Sequence, residues 1–260
     1  MYIDIHAHLD PYFYSEKDID DIVKRAEVKD VKIIVANGLN KETNRHALEL
    51  AKKYGIVKAA LGIYPYEGML DDMDAGHYKQ EAVLFDIDKE IDFIRSHKDN
   101  IVAIGEVGLD LKTHRKTRKQ FEIFDKIIKL AKEIDKPIIV HSRKAEEEII
   151  DILEKEGVKK VVMHCFSGEK KLWPRILKNK WYCSIPTNCV RSEHFQKLIE
   201  FMPLTQLFCE TDSPFLSPIK DKKNEPSFVI ASYEVISRVK GIELKEVENA
   251  VQQNWMRLFM

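Results

Sequence analysis

No apolar run in this 260-residue chain approaches the ~20 residues that a membrane-spanning helix needs. The N-terminus carries Asp4, His6 and His8 where a secretion signal would have an apolar core. The expectation is a cytoplasmic protein with no membrane partner. Cysteine is sparse, and Cys165, Cys183, Cys189 and Cys209 include no CxxC pair. They read as reduced, mostly buried thiols. Cys165 and Cys209 adjoin candidate site strands, which leaves metal ligation open for them. The chain also lacks a Gly/Ser/Pro-rich linker, an internal repeat and any low-complexity tract. A division into two domains therefore has no support, and residues 1–260 read as one domain. An excess of one charge is missing too: the formal net charge is -1, so a polyanion would have to meet a local patch. No obligate protein partner is evident.

Charged residues, in contrast, make up 33% of the chain, above the usual quarter. Short apolar runs alternate with charged segments of helical period. The strand candidates are Tyr2–His6, Val31–Asn37, Val57–Ile63, Ile101–Glu106, Pro137–His141, Val161–Cys165, Trp181–Ile185 and Leu207–Glu210. Helical stretches fall at Asp18–Val28, Lys41–Tyr54, Asp86–His97, Arg115–Ile134, Lys144–Glu156, Lys170–Asn179 and Ser192–Phe201, with a last part through Ser227–Lys240 and Glu243–Phe259. Eight strands alternating with helices predict a (β/α)8 TIM barrel, whose active site lies at the C-terminal strand ends.

Ligand-type residues gather at those ends. His6 and His8 stand two apart and share a face of strand 1. Glu106 ends strand 4, His141 strand 5, His164 strand 6 and Asp212 strand 8. Four imidazoles and two carboxylates suffice for two divalent ions, and zinc, magnesium and manganese all suit such donors. Glu106 is the expected bridge, with His6, His8 and Asp212 on one ion and His141 and His164 on the other. Asp212 would also orient an attacking water. The other histidines (His46, His77, His97, His114 and His194) read as surface residues.

The chain resembles the TatD family of metal-dependent deoxyribonucleases, within the amidohydrolase-like barrels. The resemblance rests on His6-Ala7-His8-Leu9-Asp10, Gly105-Glu106-Val107-Gly108-Leu109-Asp110 and Gln120-Phe121. It continues through His141-Ser142-Arg143, His164-Cys165-Phe166-Ser167-Gly168, Glu210-Thr211-Asp212-Ser213-Pro214, Asn224-Glu225-Pro226 and Asn254. It implies a barrel, two divalent metals held by the six residues above, and hydrolysis of phosphodiester bonds in DNA. One departure is Gly62-Ile63-Tyr64-Pro65, where the family has a histidine near the scissile phosphate. Tyr64 can donate a hydrogen bond but carries no positive charge at neutral pH. A smaller departure is Lys144 after Arg143, where an acidic residue is usual; Lys144 is expected to begin a helix.

Supporting groups read two ways. Asp4 either hydrogen-bonds a ligand imidazole or is a satisfied polar residue, and Glu210 either backs the site or bonds within the core. Arg143 either clamps a phosphate or braces the rim by a salt bridge. Lys112, His114, Arg115, Lys116, Arg118 and Lys119 form a basic run, which is either a nucleic-acid track or a solvated helix face. Tyr64 and Tyr66 offer rings for base stacking, and Phe166 and Phe215 could line the cleft. The acidic loop Glu67–Gln80 could be a lid. The leading expectation is a metal-dependent phosphodiesterase in which Asp212, Glu106, Tyr64 and Arg143 act on DNA or another phosphodiester. Its rival is a hydrolase of an ester, amide or lactone, including an aminoacyl-tRNA ester, on the same centre. A non-catalytic metal-binding scaffold is the third reading.

Overall fold

The structure, a computed structural model, describes residues 1–65, 85–112 and 118–260. Tyr66, His77, His114, Arg115, Lys116 and the loop Glu67–Gln80 lie outside the described residues. Eight strands run β1 (Tyr2–Ala7), β2 (Val31–Asn37), β3 (Val57–Leu61), β4 (Ile101–Gly108), β5 (Ile138–His141), β6 (Val161–Met163), β7 (Tyr182–Pro186) and β8 (Leu207–Glu210). Each of the first seven pairs in parallel with the next, in chain order. Parallel strands covered on both faces read as near-continuous apolar runs, which is why β5, β6 and β8 are short stretches of buried residues. The last seam is closed by the Ala7–Ser213 bridge and by two backbone bonds. Asp212 N–H donates to His6 O at 2.9 Å, and His8 N–H donates to Ser213 O at 2.8 Å. The result is a nearly closed (β/α)8 barrel in one domain.

The helices of the described residues are α1 (Glu16–Val28), α2 (Lys41–Lys53), α3 (Ile87–Ser96), α4 (Arg118–Ile134), α5 (Glu146–Lys155), α6 (Trp173–Lys178), α7 (Glu193–Phe201), α8 (Ile230–Lys240) and α9 (Leu244–Phe259). Their starts are written locally. Ser15 caps α1 in a capping box with Asp18, and the side chain of Asn40 accepts from Glu42 N–H and Thr43 N–H at the head of α2. Helix α1 turns Ile19, Ile22, Val23 and Ala26 inward, the spacing of one helical face.

Several boundaries differ from the sequence reading. Strand β4 continues to Gly108, so Glu106 lies inside the strand rather than at its end. Strand β6 stops at Met163, and Cys165 takes a positive φ of 42° in the turn beyond. Lys144 does not begin a helix: it sits at φ 58° in a turn, and α5 starts at Glu146. The Lys170–Asn179 segment splits into a short 3-10 turn and α6, with Pro174 in the first turn of the helix. Likewise Pro226–Val229 is a 3-10 turn ahead of α8.

Candidate metal centre

Strand β1 projects His6 and His8 to one face, as the period-two pattern requires. Their Nε2 atoms lie 3.2 Å apart. Oε2 of Glu106 is 3.4 Å from each of these nitrogens. Oδ1 of Asp212 is 3.6 Å from His6 Nε2 and 3.4 Å from His8 Nε2. On the other side of Glu106, Oε1 is 2.7 Å from His141 Nδ1 and 3.7 Å from His164 Nε2. The structure thus brings all six sequence-predicted ligand residues together. Glu106 belongs both to the group with His6 and His8 and to the group with His141 and His164; a third group joins His6, His164 and Asp212.

The proton positions follow from the partners. His8 Nδ1 is 3.2 Å from the carbonyl oxygen of Asn37, and His164 Nδ1 is 2.8 Å from Glu210 Oε2. Both oxygens accept, so both histidines hold a proton on Nδ1 and face the interior through Nε2, the atom that a cation would take. His141 meets Glu106 through Nδ1 and Asp110 Oδ2 through Nε2, the latter at 2.9 Å. A proton on Nε2 then leaves Nδ1 for the interior. The inward-facing atoms are carboxylate oxygens and the imidazole nitrogens that a cation would take, at separations of 3.2–3.6 Å on the His6–His8–Asp212 side. Two ligands ~2.1 Å from one tetrahedral cation stand about 3.4 Å apart. This donor set fits divalent cations by both chemistry and spacing.

Electrostatics supports the same reading. Burial alone would raise the Glu106 carboxyl, but His6, His141 and His8 outweigh it and hold it well below the usual carboxylate range. Asp212 is likewise lowered, against its burial, by His164, His8 and His6. Burial would lower His164, yet Glu210 and Asp212 raise it to about 9, so a cation bound there would take the place of a proton on Nε2. Glu106 is 2% exposed, so this charge is gathered away from water. Asp212 itself adopts φ 54°, a left-handed conformation that aspartate tolerates better than most residues.

Around this ring stand residues that position it. Glu210 backs His164 and also accepts from Ser184 Oγ on β7. Asp110 holds His141 and pairs with Arg143, whose Nε lies 2.7 Å from Asp110 Oδ2; these partners lower Asp110 to about 2 despite its burial. Gln120 on α4 accepts from Asp110 N–H at 3.0 Å and donates to Asp110 O at 3.2 Å. Tyr64 Oη is 3.2 Å from both Asp110 Oδ2 and His141 Nε2. Two glycines permit the packing. A Cβ on Gly62 would come within 2.3 Å of Glu106 O, and one on Gly108, at φ 142°, within 2.0 Å of His141 O.

Sequence reasoning missed Asp110 as a site residue. The signal was present, since Glu106, Gly108 and Asp110 share the parity of β4. Other expectations need correction. Of its two readings Asp4 takes the second, a satisfied polar residue, and it bonds no imidazole side chain. Its Oδ1 accepts from Thr211 N–H at 2.9 Å and its Oδ2 from Thr211 Oγ1 at 2.6 Å. Burial outweighs these bonds and raises Asp4 to about 8. Phe166 does not line the cleft but is fully buried, whereas Phe215 is exposed. His46, His97 and His194 are half-buried, not surface residues; His194 Nε2 lies 3.1 Å from Phe166 O. Among the described residues the candidate metal groups contain no cysteine. Cys165 is half-buried and the other thiols are buried, and burial pushes all four up. In the basic run, Lys112, Arg118 and Lys119 are exposed, and Arg118 pairs with Glu122.

Residues 3–260 match the family described as TatD related DNase. The chain is 38% identical over 258 residues to an uncharacterized metal-dependent hydrolase of Methanocaldococcus jannaschii, covering 99% of this chain and 96% of the relative. It is 34% identical over 264 residues to the deoxyribonuclease TATDN3 of Homo sapiens, covering 99% and 94%. Among solved structures, the TatD homologue YjjV from Escherichia coli K12 superposes with a TM-score of 0.84 at 25% identity, covering 99% of this chain and 97% of that one. No helix among the described residues is long and apolar enough to cross a membrane.

Proposed function

The chain belongs to the TatD family of metal-dependent hydrolases and deoxyribonucleases, and on that premise we propose that it cleaves DNA phosphodiesters on a centre of two divalent cations. The observation that carries this reading is Glu106, whose two oxygens face two separate groups of imidazoles. His6, His8 and Asp212 would hold one cation and His141 and His164 the other, with Glu106 offering an oxygen to each. When bound, such cations supply Lewis-acid chemistry, easing deprotonation of water and offsetting charge on the phosphate.

The protein's own groups do the rest. Asp212, ionised and one-seventh exposed, accepts a hydrogen bond from the attacking water at Oδ1 and fixes its approach. Glu106 remains a carboxylate and keeps the two halves of the centre in register. The Tyr64 hydroxyl donates a neutral hydrogen bond beside His141, where the family has a histidine. Arg143, 26% exposed and paired with Asp110, adds positive charge at the rim near the phosphate.

The test is hydrolysis of 5′- and 3′-labelled single-stranded DNA by chelator-stripped protein with magnesium, manganese or zinc restored, beside a His6→Ala control. Metal-dependent cleavage that the control lacks is the expected result. Bound metal with no cleavage, together with turnover of p-nitrophenyl esters, would replace this reading with a carboxylic-ester hydrolase.

A further inference from the structure

The rim beside His8 carries an aromatic pair that the hydrolytic centre leaves unused. Phe215 is 49% exposed, and its ring centroid lies 6.4 Å from that of His8. Phe13 is also 6.4 Å from His8 and meets Phe215 edge-on at 5.2 Å and 86°. Single exposed apolar side chains are ordinary on a protein surface. This one is held in place. Phe215 N–H donates to Asp212 O at 2.8 Å, and Asn224 Nδ2 donates to Phe215 O at 2.6 Å and to Thr211 O at 2.7 Å. Tyr14 Oη donates to Asn224 O at 3.0 Å, and Lys223 Nζ donates to Phe13 O, which sews the two loops together. The backbone that carries Phe215 is therefore fixed to that of Asp212.

The same loop is basic. Lys220, Lys222 and Lys223 are exposed, with Asp221 as the opposing charge among them. An exposed ring on an anchored backbone, with cations on the same loop, is the combination by which proteins grip single-stranded nucleic acid: the base stacks on the ring and the backbone follows the charge. Resting on the nuclease reading above, we infer that Phe215 is a positioning residue that stacks the nucleobase next to the scissile phosphate. Phe13 backs it edge-on, and Lys220 and Lys222 receive the neighbouring phosphates. The ring supplies placement and leaves the chemistry to Asp212 and Glu106.

The test pairs an unmodified oligothymidylate with versions carrying one abasic residue at successive positions. Wild-type protein is expected to show kcat/KM about 10-fold or more lower for the version abasic at the stacked position. Phe215→Ala should lose that discrimination, mainly through KM, and Phe215→Trp should keep it. Equal discrimination by wild type and Phe215→Ala would overturn the inference and leave the nuclease reading standing. A binding readout separates the opposite case. Without added metal, the extra emission of Phe215→Trp should be quenched by the intact oligonucleotide and less by the abasic one. If wild type cleaves no oligonucleotide, that quenching upholds the stacking site while the hydrolytic reading falls; unchanged emission overturns the site as well.

Discussion

Glu210 Oε2 lies 2.8 Å from His164 Nδ1 and takes a second hydrogen bond from Ser184 Oγ. Glu210 ends β8, Ser184 lies on β7 and His164 follows β6, so one buried carboxylate ties three successive strands to a single orientation of the His164 ring. Removing such a partner costs 10–100-fold in metal affinity in known sites. Glu210→Ala should therefore weaken metal binding by roughly that factor, and Ser184→Ala by less. Metal titration with both variants checks the order; equal affinity in Glu210→Ala and wild type would remove the orienting role.

Chelation should leave the barrel folded, because its core is built from apolar strands and helix faces rather than from the metal ligands. Restoring a divalent cation at ~100 times its Kd adds about 2.7 kcal/mol. For a domain of this size that is a rise in Tm of roughly 5–10 °C. Differential scanning calorimetry should show the rise in wild type and a smaller one in His6→Ala.

Asp212→Asn keeps the shape of the side chain and removes its charge from among His6, His8 and His164. Turnover should fall by about 10²–10⁴-fold with an unchanged circular dichroism spectrum. Undiminished turnover would rule out Asp212 as the residue that orients water.

Gly62→Ala tests the packing behind Glu106. The new methyl would lie 2.3 Å from Glu106 O and 2.5 Å from Glu106 N, backbone atoms that cannot swing aside. A cost of about 1–3 kcal/mol in urea unfolding is expected, with metal affinity falling alongside it. Loss of stability without loss of affinity would show that the strain relaxes away from the centre.

Tyr64→Phe removes one hydroxyl from Asp110 and His141 at 3.2 Å. A hydrogen bond of about 1.5–3 kcal/mol to the ionised Asp110 translates into a loss of turnover of roughly 10–100-fold, with metal affinity nearly intact. A loss of a thousand-fold would mean that the hydroxyl takes part in proton transfer.

All eight strands were legible because each is a short apolar run between charged helices, and the clustering of the six candidate ligands was legible because their side chains alternate into one rim. What escaped depends on distance in the chain. The partner of Asp4 is Thr211, 207 residues away, and no local pattern announces it. Asp110 escaped because β4 was read as ending at Glu106; two more residues of strand carry the alternation to Gly108 and the rim to Asp110. Phe166 and Phe215 look alike in sequence. Only the turn after β6 sends one into the core, and only the Asn224 clamp leaves the other at the surface. Lys144 belongs to a charged run that suits a helix, but its left-handed backbone delays α5 to Glu146.

The seam between β1 and β8 has a consequence for the order in which the protein comes into being. His6 and His8 belong to the first strand and the residue after it, Asp212 follows the eighth strand, and backbone bonds between these two stretches close the barrel. A ribosome-bound chain that has completed seven strands still lacks the carboxylate that faces those histidines. Under the proposed function, the candidate centre stays incomplete until β8 and the turn after it have been made, and a chain that stops short of Asp212 lacks the residue assigned to orient water.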